Sequence, residues 1–402
     1  MVKRLSDPTD VSTSKMRASS PVDALGGLRV LDLSTYFAAP QLSAMLGDFG
    51  ADVVKVEPPG GDPIRHMGRE GRGRMWALVG RNKRSVVLDF SAASGLERLR
   101  ALTRAADVIV ANQPHALLDQ WGCAPEAIMA RNPSAVVATI TCYGWSGPYA
   151  ERPGAGSMAE AFAGLTHLTG DPAGPPTLPS APLGDTMAAV SGLVGVLLAC
   201  YHRDALGGSG QHVDVTMYEP VLTILGSVIG SWSPDQPAPG RTGSRVEGGV
   251  PRNVYCAGDG KWLVLSGTTD AQVARLLRLI DEDSPETRAR FGRSEDRLRH
   301  ADELDGLTAA WIAGRPGDDA LSAFLAARIP VAPVNDLAAV AVDAQVVARG
   351  SLVELDDPDG GRMLLPGPAP HLQATPGRVR FTGPALGQGH DDVVREWLGD
   401  PS

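Results

Sequence analysis

Short apolar runs alternate with longer amphipathic segments through the first half of the chain. The runs LRVLDLS, ADVVKVEP, RSVVLDF, ADVIVAN and AVVATIT are rich in β-branched residues, and segments such as APQLSAMLGDFG and SGLERLRALTRA lie between them. This alternation is typical of β-α-β units that build a mostly parallel, doubly wound sheet. The near-continuous apolar run ADVIVAN further indicates a sheet covered on both faces. We predict an α/β fold with a Rossmann-like large domain.

The pattern changes in the second half. A helix is predicted from about Asp185 to Arg203, followed by the breaker DALGGSGQ and a strand in HVDVTMYE. A stretch rich in Pro, Gly and Ser, SWSPDQPAPGRTGSRVEGGVPRN, then leads to a hairpin around Asp259-Gly260 and to amphipathic helices in AQVARLLRLI and DALSAFLAARI. We therefore predict a mobile tail at 1–24, a large domain at 25–225, a smaller α+β domain at 226–329, and a segment at 330–402 that packs back on the large domain.

Composition and charge narrow the function classes. The chain has 402 residues, 43% of them hydrophobic, and a formal net charge of -9, which argues against a nucleic-acid surface. Its four cysteines form no CxxC pair, so neither a metal site nor a disulfide framework is indicated. The polar start lacks the apolar core of a signal peptide, and the apolar run 188–200 is too short to span a bilayer. We expect a cytoplasmic protein with no membrane partner.

One carboxylate stands alone in an apolar region. The stretch PLGDTMAAVSG continues into LVGVLLACYHR and places Asp185 at the head of the predicted helix. Asp185 is a good N-cap, because its oxygens can accept from the unpaired N–H groups of the first turn. It is also a usable nucleophile, because the small neighbours Gly184 and Thr186 let a bulky thioester or anhydride approach a partly desolvated carboxylate. The residues alone leave both interpretations open.

A second candidate feature is basic. Seven basic residues lie within a short segment: Arg65, Arg69, Arg72, Arg74, Arg81, Lys83 and Arg84. Arginine forks match phosphate oxygens in a bidentate way, so the segment could bind an anionic ligand, although a solvated loop has the same pattern. The turn after the first strand reads TYFAAP and contains no GxGxxG, which argues against a dinucleotide-dependent dehydrogenase.

Several segments, in this order and spacing, resemble the family III CoA-transferases. They are VLDLSTYFAAPQLSAMLGDFGADVVKVEPPGGDPIR, NKRSVVLDF, ADVIVANQ, YGWSGPYAERPG, LGDTMAAVSG, IPVAPVNDL, ARGSLVEL and PALGQGHDD. Formyl-CoA transferase and carnitine CoA-transferase belong to this family, and the α-methylacyl-CoA racemases are its close relatives. The resemblance covers about Leu28 to the C-terminus. It implies an acyl-CoA and a free carboxylic acid as substrates, no tightly bound cofactor, no metal, and an interlocked homodimer.

The resemblance also gives Asp185 a role. In this family the Asp of the LGD turn is the nucleophile, which implies that Asp185 attacks the acyl-CoA thioester and forms an aspartyl mixed anhydride with release of CoA thiolate. The thiolate returns to form an aspartyl-CoA thioester, which the acceptor acid then attacks. We expect the helix N-terminus to hold this carboxylate and to lower its pKa.

The family's contacts with CoA carry over in part. The positions that match them are Tyr36, Phe37, Ala38, Leu88 and Asn112. The family's ENFRPG run reads ANQPHA here, and a basic residue often found a few positions later is Gln120. We therefore expect the diphosphate contact to come from the basic segment, with Arg65 and Arg74 as candidates.

Other departures from the family concern the acyl group and the proton chemistry. Phe37 replaces a polar side chain of formyl-CoA transferase, which implies a more apolar or a differently shaped acyl pocket. Trp121 and Trp145 are either walls of this pocket or plain core aromatics. Racemases of this superfamily carry a His-Asp pair where this chain has Ala155-Gly156, and neither residue can move a proton.

Many transferases also carry an acid at the second of these two positions. Glu160, one helical turn after Gly156, is either a substitute on the same helix face or an exposed or structurally paired residue. An acyl-CoA racemase or epimerase, and a non-catalytic CoA-binding homologue, are the alternative functions. The sequence does not name the donor or the acceptor acid.

Overall fold

The computed structural model describes residues 23–67, 73–245, 248–357 and 360–399. The strands are β1 (Arg29–Asp32), β2 (Asp52–Glu57), β3 (Lys83–Val87), β4 (Val108–Ala111), β5 (Val136–Thr141), β6 (His212–Thr216), β7 (Arg252–Cys256), β8 (Trp262–Ser266), β9 (Val331–Pro333), β10 (Leu352–Asp356) and β11 (Arg362–Pro366). The helices are α1 (Ala38–Asp48), α2 (Arg74–Val79), α3 (Ala93–Ala105), α4 (His115–Trp121), α5 (Pro125–Arg131), α6 (Gly156–Phe162), α7 (Leu165–Leu168), α8 (Leu183–Ala205), α9 (Glu219–Ile224), α10 (Gly226–Ser231), α11 (Asp270–Leu279), α12 (Pro285–Phe291), α13 (Ser294–Arg299), α14 (Ala301–Ala313), α15 (Gly317–Ala326), α16 (Leu337–Val342), α17 (Ala344–Arg349) and α18 (His390–Leu398).

A parallel sheet organises the first half of the chain. In the described residues β1 to β6 form a six-stranded sheet in the order β3-β2-β1-β4-β5-β6, and every neighbouring pair is parallel. The predicted α/β fold with a doubly wound sheet is confirmed. The strand order reverses between β1 and β4, and this switch point leaves a crevice beyond the carboxyl ends of the two strands.

Apolar side chains cover both faces of this sheet. Val30 and Leu31 are adjacent in β1 and point to opposite faces, so they belong to two different cores. The core around Val30 includes residues of α1 and α8, and the core around Leu31 includes residues of α3 and α18. A leucine that is fully buried in this way, such as Leu42 or Leu99, contributes about 1.5–3 kcal/mol by leaving water.

Helix α8 is longer than the sequence pattern indicated. It begins at Leu183 and contains 23 residues with a mean hydropathy of 1.7 in its most apolar stretch, so by length and composition it could cross a membrane. The helix extends beyond the predicted apolar run 188–200 at both ends, so the prediction that this segment is too short to span a bilayer is wrong. Within the fold, α8 packs against α1, β5 and β6. Such packing is typical of a core helix, and the absence of a membrane partner stays a prediction.

The chain divides into two compact units. Of the residues that the structure describes, the first unit contains 23–67, 73–165, 178–232, 343–357 and 360–399, and the second contains 166–177, 233–245 and 248–342. The predicted mobile tail lies outside the described residues except for its last two positions. The small domain predicted from the sequence, 226–329, does not include the segment 166–177. Arg241 explains why that segment belongs to the second unit, because its guanidinium donates to the carbonyl oxygens of His167, Asp171 and Gly174.

The second unit has its own sheet and its own core. Strands β7 and β8 form the predicted antiparallel hairpin, and β9 pairs with β8. Phe291 and Phe324 lie fully buried in the core of this unit. Arg297 is also buried, and it donates to the carbonyl oxygens of Val250 and Thr268. A buried guanidinium of this kind fixes the loops around it, because leaving it unpaired would be costly.

The C-terminal segment returns to the first unit. The carbonyl oxygens of Phe381 and Gln388 accept from the N–H groups of Asn82 and Ser85, so this segment pairs with the outer side of β3. After it, α18 packs on β3 and α3, where the Trp397 indole donates to Asp52. The exposed edge of the sheet is thereby covered.

Candidate active site

A cavity of about 370 Å³ lies at the carboxyl end of the sheet. Its lining comes from the turn after β1, the loop after β4 and the residues that follow β5 and β6. The lining residues are Thr35, Tyr36, Asn112, Gln113, Pro114, His115, Ile140, Thr141, Cys142, Ala150, Glu151, Arg152, Pro153, Gly154 and Met217. The position matches the crevice at which open α/β sheets bind their ligands.

Asn112 connects the two sides of the switch point. Its side-chain carbonyl accepts from the N–H group of Thr35, and its amide donates to the Thr35 carbonyl, both at 2.8 Å. The predicted CoA contact Asn112 therefore lines the cavity and also fixes the turn after β1. A residue that holds a loop in this way reduces the entropy lost when a ligand binds there.

The residues predicted after β1 differ in accessibility. Tyr36 lines the cavity and is 52% exposed as a residue. Its backbone is left-handed with φ of 66°, which is uncommon for a non-glycine residue and is often found at functional sites. Asp62 supports this turn, because its side chain accepts from the Tyr36 N–H at 3.3 Å. Phe37 packs beside Ile64 and Trp76.

Two further predicted CoA contacts are buried. Ala38 lies in the core between the sheet and α8, and Leu88 lies in the core on the opposite face. Their side chains are in contact with protein, so any direct contact with CoA stays a prediction.

Asp185 lies in the first turn of α8 and is not its N-cap. The cap position is occupied by Pro182, which makes no side-chain cap hydrogen bond, because the helix begins before Asp185. The cap interpretation is therefore wrong. The buried Glu160 carboxylate performs part of that task, since it accepts from the Gly184 N–H at 2.8 Å.

The protonation of Asp185 also differs from the expectation. Burial, with the negative charge of Glu160 added, raises the pKa of Asp185 to about 6, and a backbone N–H opposes this only in part. The prediction that the helix end lowers this pKa is wrong, because desolvation and a neighbouring carboxylate outweigh the helix dipole here. The carboxylate is half-buried. A strongly shifted pKa beside a cavity is typical of a functional residue.

Cys142 links Asp185 to the cavity. Its thiol lines the cavity and donates to the carbonyl oxygen of Ala155 at 3.8 Å. Burial raises the pKa of the Cys142 thiol, and the charge of Asp185 adds to the effect. Asp185 is therefore close enough to the cavity wall for its charge to act on it.

The basic segment is engaged internally. Arg65 forms a bidentate ion pair with Glu57, donates to the Pro384 carbonyl and stacks on Trp76. Arg74 is exposed and pairs with Asp357 at 3.1 Å. Arg81, Lys83 and Arg84 each pair with a carboxylate as well. Arg69 and Arg72 lie outside the described residues.

The ion pairs of the basic segment compete with binding of the CoA diphosphate. The guanidinium of Arg65 is committed to other groups, so binding a phosphate would require its ion pair to open. The roles of Arg65 and Arg74 in CoA binding stay predictions, and neither residue lines the cavity.

Arg152 is a candidate site residue that the sequence pattern did not indicate. This residue is exposed, lines the cavity and stacks on the ring of Tyr149 at 3.6 Å. It stands in the loop ERPG, where an isolated cation gives no pattern that a sequence could reveal. Trp121 is buried in the core, and the half-buried Trp145 packs against the same core and on the ring of His115. Neither tryptophan is among the residues that line the cavity.

The residues that the structure describes are 23–67, 73–245, 248–357 and 360–399. In them, no group of three or more His, Cys, Asp or Glu side chains is placed to hold a metal ion.

The chain is similar to known proteins over nearly its whole length. The family model described as CoA-transferase family III matches residues 25–390. The succinyl-CoA–D-citramalate CoA-transferase of Chloroflexus aurantiacus is 34% identical over 96% of this chain and 96% of its own length. The beta subunit of a succinyl-CoA–L-malate CoA-transferase from the same organism is 35% identical over 93% and 94%.

A solved structure agrees with these relatives. The crystal structure of a CAIB/BAIF family protein from Brucella suis superposes with a TM-score of 0.80 and 27% identity, over 94% of this chain and 100% of its own. Sequence and fold agree, and the chain belongs to CoA-transferase family III and is a CoA-transferase.

Proposed function

We propose that this enzyme transfers CoA from an acyl-CoA to a free carboxylic acid, with Asp185 as the nucleophile. The observation that carries the proposal is the half-buried Asp185 carboxylate, whose pKa is raised to about 6. Asp185 does not itself line the cavity, but its charge acts on Cys142, which does. At neutral pH such a carboxylate is ionised and more basic than an ordinary Asp, which makes it a better nucleophile.

The exchange balances in four acyl substitutions, two in each half-reaction. A carboxylate oxygen of Asp185 attacks the thioester carbonyl carbon, the C–S bond breaks, and the CoA thiolate leaves with the electron pair. The thiolate next attacks the Asp185 carbonyl of the mixed anhydride, and the donor acid leaves as its carboxylate. The acceptor carboxylate attacks the resulting aspartyl-CoA thioester, and the same steps in reverse deliver its CoA ester. Each step exchanges one nucleophile at an acyl carbon.

For the substrates we propose succinyl-CoA as donor and a short carboxylic acid as acceptor. Two relatives that align with more than nine-tenths of this chain are named for succinyl-CoA. Acyl-CoA and carboxylic acid binding follow from membership of the family, and the particular acids belong to this proposal.

We assign the phosphate contact of CoA to Arg152. It is an exposed cation on the cavity wall, and its ring partner Tyr149 holds it in place without neutralising its charge. Replacing Arg152 with Gln is expected to raise KM about tenfold for every acyl-CoA, because a charge-assisted hydrogen bond is lost. Steady-state kinetics with acetyl-CoA and succinyl-CoA test this. A rise confined to succinyl-CoA would instead place Arg152 at the distal carboxylate of that donor.

We propose that a second copy of this chain covers one face of α8. That face is apolar and exposed, and it comprises Val190, Val194, Leu197, Leu198 and Tyr201. Their spacing places them on one side of the helix. The resemblance to the family implies an interlocked homodimer, and we therefore propose a second copy of this chain as the partner that covers this face. We also propose a cytoplasmic location, which the four free cysteines support.

The chemistry can be tested by intact-mass analysis. Wild type and Asp185→Ala are incubated with succinyl-CoA, and hydroxylamine is added to trap activated carboxylates. We expect an adduct or a hydroxamate on the wild type and none on the variant. If neither protein is labelled while CoA still binds, Asp185 is not a nucleophile. Deuterium exchange at the α-carbon of a branched acyl-CoA would then favour the racemase alternative.

A further inference from the structure

Two glycines let the first turns of α6 and α8 touch. A Cβ added to Gly156 would lie 2.0 Å from Oδ2 of Asp185, and one added to Gly184 would lie 2.8 Å from the carbonyl oxygen of Gly156. Neither position therefore has room for a side chain. The Asp185 carboxylate occupies the space that a side chain at position 156 would take.

This contact brings a second carboxylate to the nucleophile. Glu160 stands one turn after Gly156 in α6 and is only 2% exposed. Its Oε1 accepts from the Gly184 N–H at 2.8 Å, the amide next to Asp185 in the chain. A buried acid that receives a backbone hydrogen bond is held in one place, whereas an exposed one would move and be screened by water.

We propose that Glu160 is a positioning residue for Asp185, and that it holds the first turn of α8 while keeping a negative charge beside the nucleophile. The proposal rests on the proposed function of Asp185. An acid at position 156 could not carry out this task, because the Asp185 carboxylate occupies the space that its side chain would need.

The negative charge of Glu160 favours the acylation of Asp185. Among the described residues, the charged group that acts on Asp185 is Glu160 from α6. The neighbouring Cys142 thiol after β5 is uncharged, because burial raises its pKa. When Asp185 attacks a thioester, its negative charge leaves with the CoA thiolate, so the repulsion by Glu160 is present before acylation and relieved afterwards. An interaction that disfavours only the starting state raises the rate of that step. The raised pKa of Asp185 agrees with this arrangement.

The first test needs no turnover. A water-soluble carbodiimide reacts with protonated carboxyl groups, so the pH dependence of labelling at Asp185, read by peptide mass spectrometry, reports its titration in the free enzyme. We expect a midpoint near the wild-type pKa of about 6, and a lower midpoint in Glu160→Gln, which keeps an oxygen for the Gly184 N–H but loses the charge. An unchanged midpoint would overturn the proposal, whether or not the enzyme transfers CoA.

The second test follows the acylation step. In single-turnover experiments with succinyl-CoA, Glu160→Gln should form the Asp185 adduct about three- to tenfold more slowly, because nucleophilicity falls with basicity. The acid limb of its pH profile should move to lower pH. Glu160→Asp keeps a charge and should restore part of both properties. Glu219→Gln, in α9 of the same unit, is the control for loss of a negative charge and should match the wild type.

The two proposals fail in different ways. No Asp185 adduct in the wild type contradicts the nucleophile, and the carbodiimide midpoint still decides the role of Glu160. A wild-type adduct together with an unshifted pH profile and an unchanged rate in Glu160→Gln contradicts the positioning role alone.

Discussion

Asp185 is charged at neutral pH at a cost to the folded state. Its pKa is about 6 in the fold and about 3.9 in an unfolded chain. Between these two pH values the folded state binds more protons than the unfolded state, so stability falls as the pH rises through this window. Above pH 6 the penalty is fully present, and below pH 4 it disappears.

Replacing Asp185 with Asn should therefore stabilise the protein while abolishing transfer. At pH 7.5 we expect Tm to rise by about 2 °C, a modest value because the group is partly exposed to water. At pH 4 the two proteins should melt together. Differential scanning calorimetry at both pH values measures this, and a lower Tm for the variant at pH 7.5 would contradict it.

Gly156 has a similar importance, for a steric reason. Gly156→Ala would place a Cβ against Asp185 Oδ2, which we expect to displace the carboxylate, to lower stability by about 1–3 kcal/mol and to lower kcat. Gly230→Ala is the matched control: this glycine lies in α10 with nothing within 4 Å of an added Cβ, and its replacement should stabilise by up to about 1 kcal/mol. Denaturant titration and steady-state kinetics test both; full activity in Gly156→Ala would refute the argument.

The sequence could predict some residues but not their surroundings. The LGD turn identified Asp185, yet its pKa depends on burial and on Glu160, which only the meeting of α6 and α8 brings together. The basic segment shows the same difficulty. Arg74 and Arg84 pair with Asp357 and Glu396, acids so distant in the chain that no local pattern connects them.

At the scale of elements, a buried ion cluster connects the first three strands. Lys83 of β3 donates to Asp32 of β1 at 2.6 Å and to the Pro40 carbonyl at 2.7 Å, and Lys55 of β2 pairs with Asp62 at 3.0 Å. Burial alone would raise the pKa of Asp32, but the charges of Lys55 and Lys83 outweigh it and hold this pKa well below its usual range. The cluster thus supports Asp62 and, through it, the turn at Tyr36.

Removing one charged side chain of this cluster should lower the free energy of unfolding, because its partners stay buried. Lys83→Met leaves part of the Asp32 charge uncompensated in the core, and we expect a loss of about 3–5 kcal/mol. Arg395→Met, which breaks the exposed ion pair with Asp392 in α18, should cost less than about 1 kcal/mol. Guanidinium chloride unfolding of both variants measures the difference, and equal losses would show that the cluster contributes no more than a surface pair.

Element types could be predicted better than element ends. The alternation of apolar runs and amphipathic segments predicted the strands of the sheet and the hairpin of β7 and β8, because hydrophobic periodicity is a local property. The start of α8 was placed too late, because Asp185 has the chemistry of a cap. The Gly184 amide receives its partner from α6, a contact that only the tertiary structure creates.

At the scale of the whole molecule, the apolar face of α8 predicts how a mutation changes the oligomeric state. Leu198 is 64% exposed, and Leu198→Glu should convert the proposed dimer to a monomer, because a charge in an apolar interface is costly. Leu325→Glu, at an exposed leucine of α15 outside that face, is the control and should leave the mass unchanged. Sedimentation equilibrium reads the result. A wild type that is monomeric, or a Leu198→Glu variant that stays dimeric, would contradict the proposed partner.

The C-terminal segment that covers β3 is synthesised after the strands of the sheet. During synthesis β1 to β6 emerge first, and residues 233–342 must be made before Phe381, Gln388 and α18 exist to close the edge. Until then the outer side of β3 is an unpaired strand, the kind of surface that other chains add to. Translation speed across the second unit therefore sets how long this sheet stays open to misassembly in the cell.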